Sequence, residues 1–234
     1  LAPIHKIGYP TLTKETACHL ALWMSYQDII RVAQLKISSD RHRRVLAEIN
    51  AGDDDPVVIV EFFKPGIDEL CSILPSFLAR PILALSEGTR WKERAHIGLH
   101  IKSTSINGFL RIWLLAKLRF WRPRSHGYRE IQKHIEAWLG LIGRAAETNK
   151  ALALEIALCA ELIKGYGDTN KRGMASFAAI RSLIIDPALA GALPSDQAPD
   201  AVASARAAAL SDPTGKRLSD TIDAITAARA QAAE

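Results

Sequence analysis

ALALEIALCAELIKGYGDTNKRGMASFAAIRSLI (151–184) holds two helical patterns joined by a short polar loop that carries glycine. Its first half, ALALEIALCAELI (151–163), is apolar on almost every side. A helix of that kind belongs at the centre of a bundle, where neighbours cover it all round. Gly165 follows Lys164 where a helix C-terminus takes a residue of positive φ. Asp168 or Thr169 then offers a side-chain oxygen to the free N–H groups of the next helix, MASFAAIRSLI (174–184). These stop and start signals account for Gly165 and Asp168 as a joint between helices. Tyr166, Gly167, Lys171 and Arg172 are left over. A helix N-terminus also presents N–H groups and a positive dipole end, so the loop doubles as an anion candidate. Its residues are Lys164, Gly165, Tyr166, Gly167, Thr169, Lys171 and Arg172. Against that use, the string is neither GxGxxG nor a P-loop, and Asp168 would repel an anion at the cap.

Helical spacing dominates the chain on either side. It predicts one helix over TKETACHLALWMSYQDIIRVAQL (13–35), with Thr13 as N-cap. Cys18, Ala21, Leu22, Ser25, Ile29, Val32 and Ala33 form its apolar stripe, and Trp23 and Ile30 flank it. RHRRVLAEIN (41–50) comes after a cap at Ser39 or Asp40. DDDPVVIVEFFKPG (53–66) is the best strand candidate, with an extended segment lying on helices as the alternative. IDELCSIL (67–74) resumes the helical pattern, and Pro75 and Pro81 divide the next stretch into two short helices. IGLHIKSTS (97–105) reads ambiguously, a second short strand being one reading. Ile106 to Trp121 is helical, and RPRSHG (122–127) ends it. Tyr128, Ile131, Ile135, Trp138, Leu139, Ile142 and Ala146 mark one face of the clearest helix. Beyond Asp186-Pro187 alanine takes over, and SDQAPDAVASARAAALSD (195–212) and PTGKRLSDTIDAITAARAQAA (213–233) predict two weakly apolar helices. They either wrap the main body as a hairpin or fray. The expected fold is therefore mostly α, a multi-helix bundle with one or two short extended segments. Residues 1–186 form a helical domain, and 187–234 an Ala-rich helical appendage packing on it.

Composition agrees with a folded domain. Of the 234 residues, 48% are hydrophobic and 24% charged, enough to bury a core without metals or disulfides. Cys18, Cys71 and Cys159 lie far apart, with no CxxC, so the expectation is three buried, reduced and inert thiols in a cytosolic compartment. GFLRIWLLAKL (108–118) is interrupted by Arg111 and Lys117 and is too short to span a bilayer. The opening LAPIHKIGYP has neither an initiator methionine nor a signal pattern, as expected of a piece of a longer polypeptide.

Charge is distributed unevenly. Arg90 to Arg129 carries ten Lys or Arg and one acid, Glu93, an excess of nine against +5 for the whole chain. Trp91, Trp113 and Trp121 are interleaved with the cations. Three readings arise, in order: a solvated face over core tryptophans, a docking face for an acidic protein partner, and a nucleic-acid surface. The docking candidates are Arg111, Lys117, Arg119, Arg122 and Arg124. Glu93, His96 and His100 show an ExxHxxxH spacing that would need a helix to hold metal, and Gly98 weakens that helix. No nucleophile motif is present. Asp53, Asp54 and Asp55 read as a solvated turn, Lys64 as no more than a candidate pocket mouth, and Glu155 and Glu161 as carboxylates on different helix faces.

LIKGYGDTNKRG (162–173) is similar to a string in the C-terminal region of the indolepyruvate oxidoreductase beta subunit family, relatives of the 2-oxoacid:ferredoxin oxidoreductases. LALWMSYQDIIRVAQLK (20–36), EFFKPGIDELCSILPSFLAR (61–80), STSINGFLRIWLLAKLRFWRPRS (103–125) and ALALEIALCAELIKGYGDT (151–169) resemble the same region in the same order. The resemblance covers residues 15 to 185 and not the Ala-rich tail. It implies oxidative decarboxylation of indolepyruvate or a similar aryl pyruvate to an acyl-CoA. Thiamine diphosphate, iron–sulfur clusters and CoA serve the parent complex, with ferredoxin as acceptor. This chain has no thiamine-diphosphate GDG motif and no cluster cysteines, so no catalytic residue is carried onto it and no cofactor is expected within it. The implied role is an accessory domain, enzymatic only as part of the subunit. Its partners would be the alpha subunit and the rest of the beta subunit, with CoA phosphates held near Lys164, Lys171 and Arg172. The alternative is a helical nucleic-acid-binding domain using the basic 90–129 face.

Overall fold

The computed structural model describes residues 4, 8–25, 28–52, 55–63, 66–87, 98–165 and 167–232. In chain order the elements are α1 (Pro10–Ser25), α2 (Ile29–Lys36), α3 (Ser39–Glu48), β1 (Val60–Phe63), α4 (Ile67–Ile73), α5 (Ser76–Ser86), β2 (Leu99–Lys102) and α6 (Ile106–Lys117). Next come α7 (His126–Thr148), α8 (Lys150–Leu158), α9 (Asp168–Ile180), α10 (Asp186–Leu189), α11 (Ala198–Ser211) and α12 (Lys216–Ala232). The chain is mostly α. Among the described residues β1 and β2 make one antiparallel ribbon, with Glu61 opposite Ile101 and Phe62 opposite His100.

The chain divides into two compact units. The first comprises Leu1–Tyr26 and Lys133–Glu234, the second Gln27–Gln132. Residues 187–232 thus share a unit with 133–186 and the N-terminal helix. Helix α7 contributes its first turns to the second unit and the remainder to the first.

In the first unit α8 packs against α1 and α11, as its all-round apolar sequence demands. Leu152, Ala153, Ile156 and Ala157 are buried on it. Asn149 joins α7 to α8. Its Oδ1 accepts from Leu152 N at 3.0 Å, capping α8, while its Nδ2 donates to the Ser195 carbonyl at 2.6 Å. Trp138 is fully buried, and its Nε1 donates to the Ile156 carbonyl at 3.0 Å. Trp23 meets the Trp138 ring edge-on at 5.4 Å, a pairing worth about 0.5–1.5 kcal/mol beyond burial.

That aromatic pair explains one correction. The expected stripe on α1 placed Cys18, Ala21 and Leu22 inward, but Cys18 and Ala21 are exposed and Leu22 is 53% exposed. Leu12, Thr16 and Trp23 are buried instead, with His19 partly covered between them. Trp23 has the larger surface to hide and turns the helix accordingly. A second correction concerns length. The single helix expected over 13–35 is two, because Asp28 leaves the helical region (φ −89, ψ 92) and its carboxylate accepts from Arg31 N to cap α2. The first of the two begins at Pro10, at the position where a missing N–H costs nothing, rather than at a Thr13 cap.

In the second unit α2 packs on α6 around Ala33, Ile112 and Ala116, and α4 packs on α5. Glu61, on the inner side of the ribbon, is 4% exposed. Lys36 donates to its Oε2, and Arg41 Nη2 lies 2.6 Å from Oε1, an ion pair off the hydrogen-bonding direction. A buried carboxylate must be neutralised, so this pair of cations ties β1 to α2 and α3.

Candidate functional site

The glycine loop is held between the 3-10 turn Cys159–Leu162 and α9. Gly165 has φ +77, as a helix-ending residue should. Gly167, with φ 56 and ψ −128, occupies the N-cap of α9 and offers no side-chain hydrogen bond. Asp168 and Thr169 are therefore not the cap; both lie inside the first turn. Gly167, expected to be free of the joint, is required by it, since that backbone conformation is essentially closed to residues with a Cβ. Gly173 is a third constraint: a Cβ there would lie 2.0 Å from the Leu162 carbonyl oxygen. Glycine at 173 lets α9 lie directly on the turn before it.

Around this joint Lys164, Thr169, Lys171 and Arg172 are exposed. Arg172 Nη2 donates to Thr169 Oγ1 at 3.3 Å. The exposed Asp168 carboxylate is in the first turn, where the dipole favours negative charge and where an incoming anion would compete with it. Tyr166 lies outside the described residues.

A polar cluster that the sequence did not reveal lies in the same unit. Arg206 of α11 donates from Nη2 to Glu155 Oε2 at 2.8 Å and from Nη1 to Glu161 Oε2 at 3.3 Å. The two glutamates do not diverge as six helical residues should. After Leu158 the helix tightens to 3-10, and at about 120° rather than about 100° per residue the carboxylates end about 60° apart instead of about 120°. His19 Nε2 stands 3.9 Å from both Glu161 and Glu15. Burial opposes the charge of Arg206, but the hydrogen bond to Glu155 and the charges of Glu155 and Glu161 raise its pKa on balance. Cys159 beside them is fully buried, and burial pushes its thiol up to about 12, with Arg206 working the other way. It remains a thiol at neutral pH and is no nucleophile. Of the three cysteines expected to be buried, Cys71 and Cys159 are, and Cys18 is exposed.

In the described part of the basic segment, 98–129, most cations are exposed. Arg111, Lys117, Arg119 and Arg124 are exposed, and Arg122 is ion-paired to Asp28 and stacked 5.1 Å over the Tyr128 ring. Trp113 is 37% exposed with Lys117 Nζ 4.9 Å above its ring, and Trp121 Nε1 donates to the Ile73 carbonyl at 3.0 Å. The tryptophans are thus not all core. Large apolar side chains are also exposed here. Among the described residues with such exposure, all but Leu22, Met24, Leu183 and Leu210 belong to the second unit. Ile106 is 87% exposed, Leu85 79%, Phe77 74% and Phe120 68%.

His100 is in strand β2, edge-on to Phe62 at 4.7 Å, so the helix that an ExxHxxxH site requires is absent at its end. Arg90, Trp91, Glu93 and His96 lie outside the described residues, as do Asp53, Asp54 and Lys64. Among the described residues no group of three or more His, Cys, Asp or Glu is placed to hold a metal, and no helix is long and apolar enough to cross a membrane.

Fold and surface together define a mostly helical, two-unit protein whose second unit exposes both cations and large apolar side chains. The chain belongs to a family of unknown function, DUF6537, whose model matches residues 3–183. No curated protein and no solved structure matches it.

Proposed function

We propose that this chain is a cytoplasmic, helical accessory domain of a 2-oxoacid oxidoreductase of the indolepyruvate beta-subunit kind. Its task is assembly with the alpha subunit and the rest of the beta subunit, while oxidative decarboxylation with thiamine diphosphate, iron–sulfur clusters and CoA takes place elsewhere in the complex. One observation carries the assembly role: the second unit leaves large apolar side chains exposed among cations with no acid between residues 98 and 129. Large apolar side chains left exposed in such number point to a protein interface. Lys117 covers the face of Trp113, which disfavours base stacking and ranks protein above nucleic acid as the partner.

The test is made in the assembled enzyme. Reversing Arg111, Lys117, Arg119 and Arg124 to Glu should lower co-purification of the alpha subunit and, in proportion, aryl-pyruvate-dependent ferredoxin reduction. Unchanged association would remove the assembly reading. Contact of CoA phosphates with Lys164, Lys171 and Arg172 is a further clause of the same reading, and Asp168 in the first turn works against it. A calorimetric titration of CoA that is the same for the parent and for Lys171→Ala/Arg172→Ala would remove that clause alone.

A further inference from the structure

We propose that the outer face of α6 is a docking seam for an acidic, amphipathic α-helix of a partner protein. This rests on the assembly reading above and adds the partner's chemistry and shape. Helix α6 is apolar on two sides. Gly108, Ile112 and Ala116 are buried, and a Cβ on Gly108 would lie 1.9 Å from the Lys102 carbonyl oxygen, so the helix is seated tightly. On the other side Ile106 is 87% exposed, Leu110 48%, Trp113 37% and Leu114 55%. A row of large apolar side chains left exposed opposite the packed side is surface that a partner can cover.

The spacing selects a helical occupant. Ile106, Leu110 and Trp113 are separated by steps of four and three residues, the repeat by which one helix receives the knobs of another, with Leu114 beside them. Charge selects its sign. Lys102, Arg111, Lys117, Arg119, Arg124 and Arg129 are exposed along this segment. Among the described residues only Arg122 of the segment's cations is ion-paired to a carboxylate. Acidic residues beside an apolar seam would meet these cations and steer the encounter. A second copy of the chain would set cation against cation. A bilayer would have to take Lys117 from the middle of the exposed arc into its apolar layer, which is costly.

The full chain is titrated with two labelled heptad-repeat peptides, leucine at the seam positions of both and flanked by Glu in one and by Lys in the other. Vesicles of phosphatidylglycerol and phosphatidylcholine serve as a third probe, and sedimentation reports self-association. The Glu peptide should bind at least about tenfold more tightly than the Lys peptide and weaken with added salt. Leu110→Glu/Leu114→Glu should abolish this binding at unchanged helix content, and Arg111→Glu/Lys117→Glu should reverse the peptide preference. Equal binding of both peptides, or none, overturns the proposal. Vesicle binding lost in Leu110→Glu/Leu114→Glu assigns the face to lipid, and a dimer lost in the same variant assigns it to a second copy; either result overturns it too. Peptide binding with no association in the oxidoreductase would retain the seam and remove the assembly reading, and the converse would remove the seam alone.

Discussion

Two glycines in helices are set apart by what a methyl group would meet. At Gly173 it would lie 2.0 Å from the Leu162 carbonyl oxygen, whereas at Gly140, mid-way along α7, it would meet nothing within 4 Å. Gly173→Ala should therefore lower stability by about 1–3 kcal/mol, since backbone must move to relieve the overlap. Gly140→Ala should raise it by about 0.5–1 kcal/mol through helix propensity alone. Thermal melts of the two variants check the opposite signs. In the sequence one is simply a glycine within a helical pattern and the other a glycine beside one. Only Gly165, placed at a helix end, announces its conformation in advance. Gly167 does not, because its need for glycine comes from φ 56 with ψ −128, a property of how the two flanking elements meet.

At the scale of elements, periodicity made most helices legible, because one apolar face recurs every 3.6 residues whatever the helix packs on. Ends were harder. The break at Asp28 is hidden because the helical spacing of Leu22, Ser25, Ile29 and Val32 runs across it, and the 3-10 turn after Leu158 has no sequence marker, so the meeting of Glu155 with Glu161 could not be foreseen. The entry to α12 shows what a legible end would have required. Asp212 accepts from Thr214 Oγ1 at 2.7 Å, from Arg217 N at 3.1 Å and from Thr214 N at 2.9 Å. The hydroxyl of Thr214, then the two N–H groups, hold its carboxyl down at about 2, below the ordinary 3.8. A depressed folded pKa contributes stability that is complete above about 3.8 and lost as pH falls through about 2. Amide exchange at the start of α12 should accordingly quicken between pH 4 and 2 beyond its intrinsic pH dependence. Asp212→Ala should abolish that step and leave the first turn frayed at every pH.

For the whole molecule, the two units differ in how much they hide. The first buries Leu12, Trp138, Ile142, Ile156, Ile180, Ile184, Ile185 and Val202 completely, while the core of the second rests on small residues such as Ala33, Ala79 and Ala116 with Ile30 and Ile112. Free energy of opening tracks buried apolar contact, so amides of 28–132 should exchange at lower denaturant than those of α8 and α9, as native-state hydrogen exchange would show. Coincident exchange across both would mean a single cooperative body. The candidate surface was legible as charge, since ten cations in forty residues need no structure to be counted, but its apolar half was not. Leu110 and Leu114 read as core in a sequence, and only their position on the far side of α6 from Ala33 makes them surface. Arg206 has a further bearing on the family. The matched span ends at 183, yet it contains Glu155 and Glu161, whose shared counter-charge comes from residue 206. The counter-charge of this carboxylate pair thus comes from outside the matched span, and a related chain that keeps both acids gains a charge-assisted hydrogen bond by keeping a cation in the same place.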